Sequence, residues 1–156
     1  MVDLFLELQK NNIMEDSFMS TRSYIGIKHK DQSFTFAYCH FDGYLAYNGV
    51  LLQEKYNDLS KVKNLISRGD MSSLEPTVDK IKFYNDDDEQ THYVNDSHLN
   101  NNLNSLFDIE FFYYFDESSS KWFYAEHNSS SLTFKPLETA IKPEMLESMA
   151  KYLKRS

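Results

Sequence analysis

The chain lacks most of the features that would assign it to a defined chemical class. Its 156 residues include a single cysteine, Cys39, which excludes an intramolecular disulfide and favours a reducing compartment. Only four glycines and three prolines are present, too few for a low-complexity chain, and no run of 18 apolar residues could form a membrane-spanning helix. No basic region precedes the apolar residues of the N-terminus, as it would in a signal peptide. These absences predict a cytoplasmic protein.

Familiar catalytic and metal-binding motifs are also missing. The scattered glycines form no phosphate-binding loop, and there is no Gly-x-Ser-x-Gly element. No two of the five histidines have the spacing of a helical zinc site, and His92 and His98 flanking Asp96 would hold a divalent ion only adventitiously. We therefore predict no catalytic residues, no functional metal and no cofactor.

What the chain does contain is aromatic and acidic. Hydrophobic residues make up 41% and aromatic residues 15%, which predicts a folded globular protein. The net charge is −8, and residues 75–127 hold 12 acidic and 3 basic side chains. Such a field repels nucleic acid and attracts basic protein surfaces, so direct DNA binding is excluded and a basic protein partner is favoured.

The first half predicts a β-β-α-α arrangement. Residues 23–29 and 33–40 predict a hairpin with a turn at 30–32, because apolar residues alternate along the second strand. Helical spacing then follows in residues 50–56 and 59–66, with Asp58 or Ser60 as cap and Gly69 as the stop. Residues 1–18 predict an appendage, either an added segment or an upstream start.

The second half predicts further hairpins and a terminal helix. Strands are expected at 80–84 and 91–94 as one pair, at 107–115 and 121–127 as another, and at 131–136. Residues 98–106 are weakly helical, and Pro143 begins the last helix. We predict one α+β domain over residues 19–156, with antiparallel β-hairpins forming a sheet and helices packed on one face. Its parts are residues 19–74 and an acidic, aromatic-rich 75–156.

Two motifs resemble those of a known family. Residues 19–26 read Met-Ser-Thr-Arg-Ser-Tyr-Ile-Gly, and residues 38–44 read Tyr-Cys-His-Phe-Asp-Gly-Tyr. Both resemble the opening of a family of small bacteriophage and prophage proteins over roughly residues 19–74. The resemblance implies a mobile-element origin and a bacterial host, and it assigns no chemistry.

The two motifs together supply a candidate ligand site of Arg22, His40, Asp42 and Tyr44. Neighbouring strand residues point to opposite faces, so Cys39 and His40 are not expected to act on one atom. His40 and Asp42 would share a face if the strand continued to Asp42. A buried cysteine beside a turn held by Asp42 is the structural alternative. Arg22 could bind an anion or anchor the strand edge.

The most unusual composition lies in residues 107–124, where nine of eighteen side chains are aromatic. One interpretation is a central strand covered on both sides. The other is an interaction surface, since Tyr and Trp give large contact areas with a polar end. The predicted partner-binding residues are the acidic Asp86, Asp87, Asp88, Glu89, Asp116 and Glu117, with Tyr113, Tyr114 and Trp122 as anchors.

These observations favour a mobile-element inhibitor that binds a basic surface of a host defence nuclease, such as a CRISPR effector, without catalysis. The alternative is a protein or enzyme that binds a small molecule or nucleotide signal through the Arg22, His40 and Asp42 region. A third possibility is a phage structural or assembly accessory.

Overall fold

The computed structural model describes residues 21–84, 90–127 and 131–155. The proposed appendage 1–18 and the acidic residues Asp86, Asp87, Asp88 and Glu89 lie outside the described residues. Six strands are β1 (Arg22–Lys28), β2 (Phe34–Cys39), β3 (Thr91–Tyr93), β4 (Ile109–Asp116), β5 (Lys121–Glu126) and β6 (Lys135–Pro136). Four helices are α1 (Val50–Lys55), α2 (Leu59–Ser67), α3 (Asp96–Asn101) and α4 (Pro143–Arg155).

All six strands form one sheet in the order β3-β2-β1-β4-β5-β6. Adjacent strands are antiparallel except for β1 and β4, which are parallel and pair from Arg22 opposite Ile109 to Lys28 opposite Asp116. The helices between β1 and β4 provide the crossover that a parallel pair requires. The predicted α+β class with a mostly antiparallel sheet is confirmed. Because β1 and β4 lie side by side, the two halves of the sequence share one sheet.

Two of the three predicted strand pairs, 23–29 with 33–40 and 107–115 with 121–127, and the first two helices are confirmed. A π-helical turn, Leu45–Gly49, leads into α1. The Asp58 carboxylate caps α2 by accepting a hydrogen bond from the Lys61 backbone N–H at 2.8 Å. Gly69 has a φ of 83°, the left-handed conformation that ends helices, as its position predicted.

Two strand predictions need correction. Residues 80–84 contribute only a bridge between Phe83 and Met71, because the Ser72 and Tyr84 N–H groups bond to the carbonyls of Lys82 and Asp70. Their expected partner β3 pairs instead with β2 at the edge of the sheet. The predicted strand 131–136 shortens to β6, which ends at Pro136, a residue with no N–H to continue a ladder.

Helical elements cover both faces of the sheet. On the first face, α1, α2 and α4 pack with Ile25, Ala37, Cys39, Tyr113 and Phe115 in the larger core. On the second face, α3 and a 3-10 turn, Leu103–Leu106, pack on a core of mainly aromatic residues. The second layer adds to the one-sided packing expected from the sequence. It also explains the continuous aromatic sequence of β4, because alternate residues of this strand are buried in opposite cores.

The hairpin of β1 and β2 depends on close approach of the two backbones at Gly26. A Cβ atom at this position would collide with the Thr35 carbonyl group and the Phe36 ring. Glycine is therefore required by space here. The consequence for the site is a fixed register that places Arg22 and Tyr38 near the same end of the sheet.

Candidate functional site

The candidate site begins where β2 ends. Arg22 and Tyr38 lie on the second face, and Arg22 Nε donates a hydrogen bond of 3.1 Å to the Tyr38 hydroxyl. The same hydroxyl lies 2.7 Å from His40 Nδ1. One phenol oxygen thus joins a guanidinium and an imidazole. The structure confirms that Cys39 and His40 face opposite ways, since Cys39 is fully buried in the first core.

This arrangement determines the charge state of the two aromatic groups. Partial burial lowers the pKa of His40, and the positive charge of Arg22 lowers it further, so the imidazole is neutral at pH 7. Burial raises the pKa of Tyr38, although the hydrogen bond from Arg22 opposes that rise. The carboxylate of Asp108 adds to the increase. Arg22 is therefore the charged member of this hydrogen-bonded group, because His40 and Tyr38 are both neutral at pH 7.

Aromatic rings surround His40 at the protein surface. The Phe41 ring packs edge-on to the His40 imidazole, with ring centroids 4.4 Å apart. The centroid of the Tyr84 ring lies 6.5 Å from that of the same imidazole. Phe41 is 36% exposed and Tyr84 46% exposed. We call Arg22, Tyr38, His40, Phe41 and Tyr84 the His40 patch.

Backbone hydrogen bonds from a neighbouring segment hold the His40 patch in place. The N–H groups of His40 and Phe41 donate to the carbonyls of Met71 and Ser72, at 3.1 and 2.9 Å. The Asp70 carboxylate accepts a bond of 2.9 Å from the Tyr38 N–H, and the Asp70 carbonyl accepts one of 3.0 Å from the Tyr84 N–H. The exposed rings therefore project from a fixed backbone.

Carboxylates border the His40 patch. Asp70 and Asp108 both act on the hydroxyl of Tyr24, whose pKa is raised first by burial and then by these two charges. Phe107, beside Asp108 in sequence, is 80% exposed. The acidic run that begins at Asp86 follows Tyr84 by two positions in the sequence. Exposed aromatic rings and negative charge thus occur together at this end of the molecule.

The predicted site of Arg22, His40, Asp42 and Tyr44 is divided by the structure. Strand β2 ends at Cys39, so the condition for His40 and Asp42 to share a face is not met. Asp42 has a φ of 58° and lies with Glu75, whose charge acts on its carboxyl group. Tyr44 is 6% exposed in the first core. Only Arg22 and His40 are brought together, through Tyr38.

Asp42 is a buried acid in an unfavourable environment. Its side chain is 8% exposed overall, and its Oδ1 atom has no hydrogen-bond partner among the described residues. Burial and the nearby Glu75 raise the pKa of Asp42 to about 7. A carboxyl group with this pKa is a mixture of neutral and ionised forms at neutral pH.

Next to Asp42 is a buried polar cluster that the sequence did not predict. Asn48 Nδ2 donates to Ser23 Oγ at 3.1 Å and contacts Cys39 Sγ at 3.5 Å, while Asn48 Oδ1 has no partner among the described residues. The Tyr113 hydroxyl donates a 2.7 Å bond to the Gly43 carbonyl. A Cβ atom at Gly43 would lie 2.9 Å from Ser23 Cβ, so glycine is needed there. Burial raises the pKa of Cys39 to about 11, which keeps it a thiol.

The predicted aromatic anchors are not at the surface. Tyr113, Tyr114 and Trp122 are 0%, 7% and 4% exposed, and Trp122 Nε1 donates to the Tyr56 carbonyl at 2.7 Å. This corrects their assignment as partner contacts, because Tyr113 and Tyr114 lie on β4, a central strand covered on both faces, and Trp122 on β5 is buried in the first core. The exposed rings of Phe41 and Tyr84 were missed. Their only signal was position, one beside His40 and the other before the acidic run.

Asp116 and Glu117 are partly exposed at the turn between β4 and β5. Asp116 Oδ2 accepts a hydrogen bond of 2.8 Å from Ser119 Oγ within that turn. Glu117 Oε1 accepts one of 3.3 Å from the Lys30 N–H and lies 3.9 Å from His29 Nδ1. Both carboxylates therefore stabilise loops, and a role in partner contact stays a prediction.

Comparisons with known proteins add no assignment: no family model, curated protein or solved structure matches the chain. In residues 21–84, 90–127 and 131–155, no three His, Cys, Asp or Glu side chains are grouped so as to hold a metal ion. Within the same residues, no helix is both long and apolar enough to span a membrane.

Proposed function

We propose that this protein is a non-catalytic, stoichiometric inhibitor encoded by a mobile genetic element. It acts in the cytoplasm of a bacterial host by binding a basic surface of a defence nuclease, such as a CRISPR effector. The His40 patch is the centre of the binding surface. The observation that carries the proposal is the exposure of Phe41 and Tyr84 beside the carboxylates of Asp70 and Asp108.

The shape of the His40 patch suits protein recognition. Binding energy in protein interfaces is concentrated in a few aromatic and arginine side chains near the centre of the contact. Phe41 and Tyr84 offer such rings, and His40 contacts both of them and connects them to Tyr38 and Arg22. Because the supporting backbone is hydrogen-bonded to residues 70–72, little ordering is needed on binding, which favours affinity.

The charge around the His40 patch indicates the kind of partner. Asp70 and Asp108 lie beside it, and residues 75–127 carry a net charge of −9 in the sequence. Negative charge speeds encounter with a basic protein and opposes contact with nucleic acid. Nucleases carry basic surfaces where they hold their substrate. An acidic protein seated there would exclude the nucleic acid by direct competition.

The small-molecule alternative has less support. It required Arg22, His40, Asp42 and Tyr44 to act together, and Asp42 and Tyr44 belong to the buried side of the loop. The thiol of Cys39 is fully buried and protonated, so it does not serve as a nucleophile.

The test uses affinity capture from host lysate followed by reconstitution with the purified partner. We expect one dominant basic nuclease, inhibited completely at an equimolar ratio, because a stoichiometric inhibitor is consumed as it binds. Inhibition at a small fraction of equimolar would instead indicate catalysis. Nuclease activity that is unaffected by saturating protein would contradict the proposal.

Matched variants locate the surface. Phe41→Ala and Tyr84→Ala should each weaken binding about tenfold or more, which corresponds to at least about 1.4 kcal/mol. Val94→Ala is the control. Val94 is 66% exposed, but it follows Tyr93, at the end of β3 that is farther from the His40 patch. If all three variants bind as tightly as the unmodified protein, the His40 patch is not part of the interface.

A further inference from the structure

A second surface has the opposite charge from the rest of the protein. A cavity of about 420 Å³ lies between the end of α1, one side of α2 and the segment 76–79. Three cationic side chains line it, in a chain whose net charge is −8. They are Lys55, Lys61 and Arg68. This volume falls within the range of pockets that bind small molecules, roughly 300–1,000 Å³.

Helix α2 places its polar residues in the cavity because of their spacing. Val62, Leu65 and Ile66 are buried in the first core. Lys61, Asn64 and Arg68 are three and then four positions apart, so they lie along one adjacent side of the helix. At a rise of 1.5 Å per residue the row extends about 10 Å. It offers charged donors at both ends and an amide between them.

The opposite wall carries the apolar residues of the cavity and is held in place. Tyr56, Pro76 and Val78 line it. The Tyr56 hydroxyl donates a hydrogen bond of 2.6 Å to the Glu75 carbonyl, which ties the segment after Glu75 to the end of α1. The Tyr56 carbonyl in turn accepts the bond from Trp122 in β5. The cavity therefore has a wall that is fixed to the sheet before any ligand binds.

The cations of the cavity are available to a ligand. Among the described residues, no carboxylate forms an ion pair with Lys55, Lys61 or Arg68. One acid, Asp79, also lines the cavity, but its carboxylate is engaged by the side chain of Thr77 and lies near Lys80. The cavity thus has an excess of positive charge in a protein that is otherwise acidic.

We propose that this cavity binds a small phosphate-bearing molecule with a flat apolar portion, the chemistry of a nucleoside diphosphate. Lys61, Arg68 and Lys55 bind the phosphate oxygens, since guanidinium and ammonium groups form charge-assisted hydrogen bonds with them. The flat portion lies against Tyr56, Pro76 and Val78. The site shares no residue with the His40 patch, so each can fail without the other.

The experiment is calorimetric titration of the full chain with ADP, pyrophosphate and adenosine. We expect saturable binding of ADP, weaker binding of pyrophosphate, and none of adenosine at the same concentrations. Lys61→Ala and Arg68→Ala should each weaken ADP binding roughly tenfold, as loss of one charged hydrogen bond predicts. Lys63→Ala is the matched control, because Lys63 is exposed on α2 outside the cavity, and it should change affinity less than twofold.

Asp79→Asn tests the same site in the opposite direction. Removing the one carboxylate of the cavity should tighten ADP binding several-fold, and thermal melting would show that each variant remains folded. Absence of saturable ADP binding would overturn the proposal. An equal loss of ADP affinity in Lys63→Ala and Arg68→Ala would also overturn the proposal, since that result indicates general charge attraction. Equal affinity for ADP and pyrophosphate would overturn the assignment of the apolar wall.

Discussion

The Tyr38 hydroxyl and His40 Nδ1 lie 2.7 Å apart, and this contact connects the imidazole to Arg22. Tyr38 and His40 are two residues apart on an extended chain, so their side chains point to the same face. The contact makes His40 sensitive to a charge on a neighbouring strand.

Replacing Arg22 should change the titration of His40. Arg22→Gln removes one of the two causes that lower the pKa of His40, so we expect that pKa to rise toward the ordinary value of about 6.5. NMR titration of the His40 ring protons measures this change. Arg68→Gln, a distant change of the same charge, should leave the pKa where it is in the unmodified protein. A pKa that stays constant or falls in Arg22→Gln would refute the electrostatic coupling.

Asp42 should make the protein less stable as pH rises. Its folded-state pKa of about 7 lies above the unfolded value of about 3.9, so the folded state binds more protons between these values. This contribution to stability is present below about pH 4 and is lost by about pH 7. Asp42→Asn should therefore stabilise the protein at pH 8, by about 1–3 kcal/mol after allowance for solvent screening, and the gain should shrink toward pH 4.

Urea denaturation at the two pH values measures the effect of Asp42. Asp31→Asn gives the opposite sign, because hydrogen bonds from Ser33 lower the pKa of Asp31. For that variant we expect a loss of stability at pH 8 that is largely retained at pH 4 and shrinks only at lower pH, as Asp31 takes up a proton in the folded state. A gain in Asp42→Asn that is independent of pH would show that the carboxyl group is not protonated by folding.

Tyr113→Phe should destabilise the protein through a single hydrogen bond. The change removes the donor to the Gly43 carbonyl within the core and leaves the ring in place. Loss of a buried hydrogen bond costs about 1–3 kcal/mol. Chemical denaturation gives the value, and Tyr84→Phe, at an exposed ring, should stay within about 0.5 kcal/mol of the unmodified protein. A neutral Tyr113→Phe would mean that the carbonyl finds another donor.

Cys39 should resist thiol reagents in the native protein. The side chain is fully buried, and its pKa of about 11 leaves almost no thiolate at pH 8. We expect labelling by a disulfide reagent only as fast as the protein unfolds, and complete labelling in guanidinium. Rapid labelling of the native state would show that the Ser23, Cys39 and Asn48 cluster opens to solvent.

The acidic run gives a prediction for partner binding. Reversing Asp86, Asp87, Asp88 and Glu89 to Lys should abolish binding to the basic partner and slow association most strongly at low salt. Association kinetics at two salt concentrations check this. Unchanged affinity would remove the acidic run from the interface while leaving the test of Phe41 and Tyr84 independent.

The sequence predicted those features of the fold that depend on neighbouring residues. Period-two alternation placed Cys39 and His40 on opposite faces, and the Asp58 cap and Gly69 stop defined α2. It could not place Asp42, because a left-handed backbone conformation after the strand turns that side chain away from His40. It also could not decide whether Tyr113 is exposed, since its burial depends on β1 joining β4 from a distant part of the chain.

The pairing of β1 with β4 has a consequence for synthesis on the ribosome. Residues 22–84 can form the first hairpin and two helices early, but the other edge of β1 stays open until Ile109–Asp116 emerge. An open edge flanked by apolar side chains is a template for association with other chains. The nascent protein therefore passes through an interval in which this edge of β1 is exposed. That interval ends only when β4 pairs with β1.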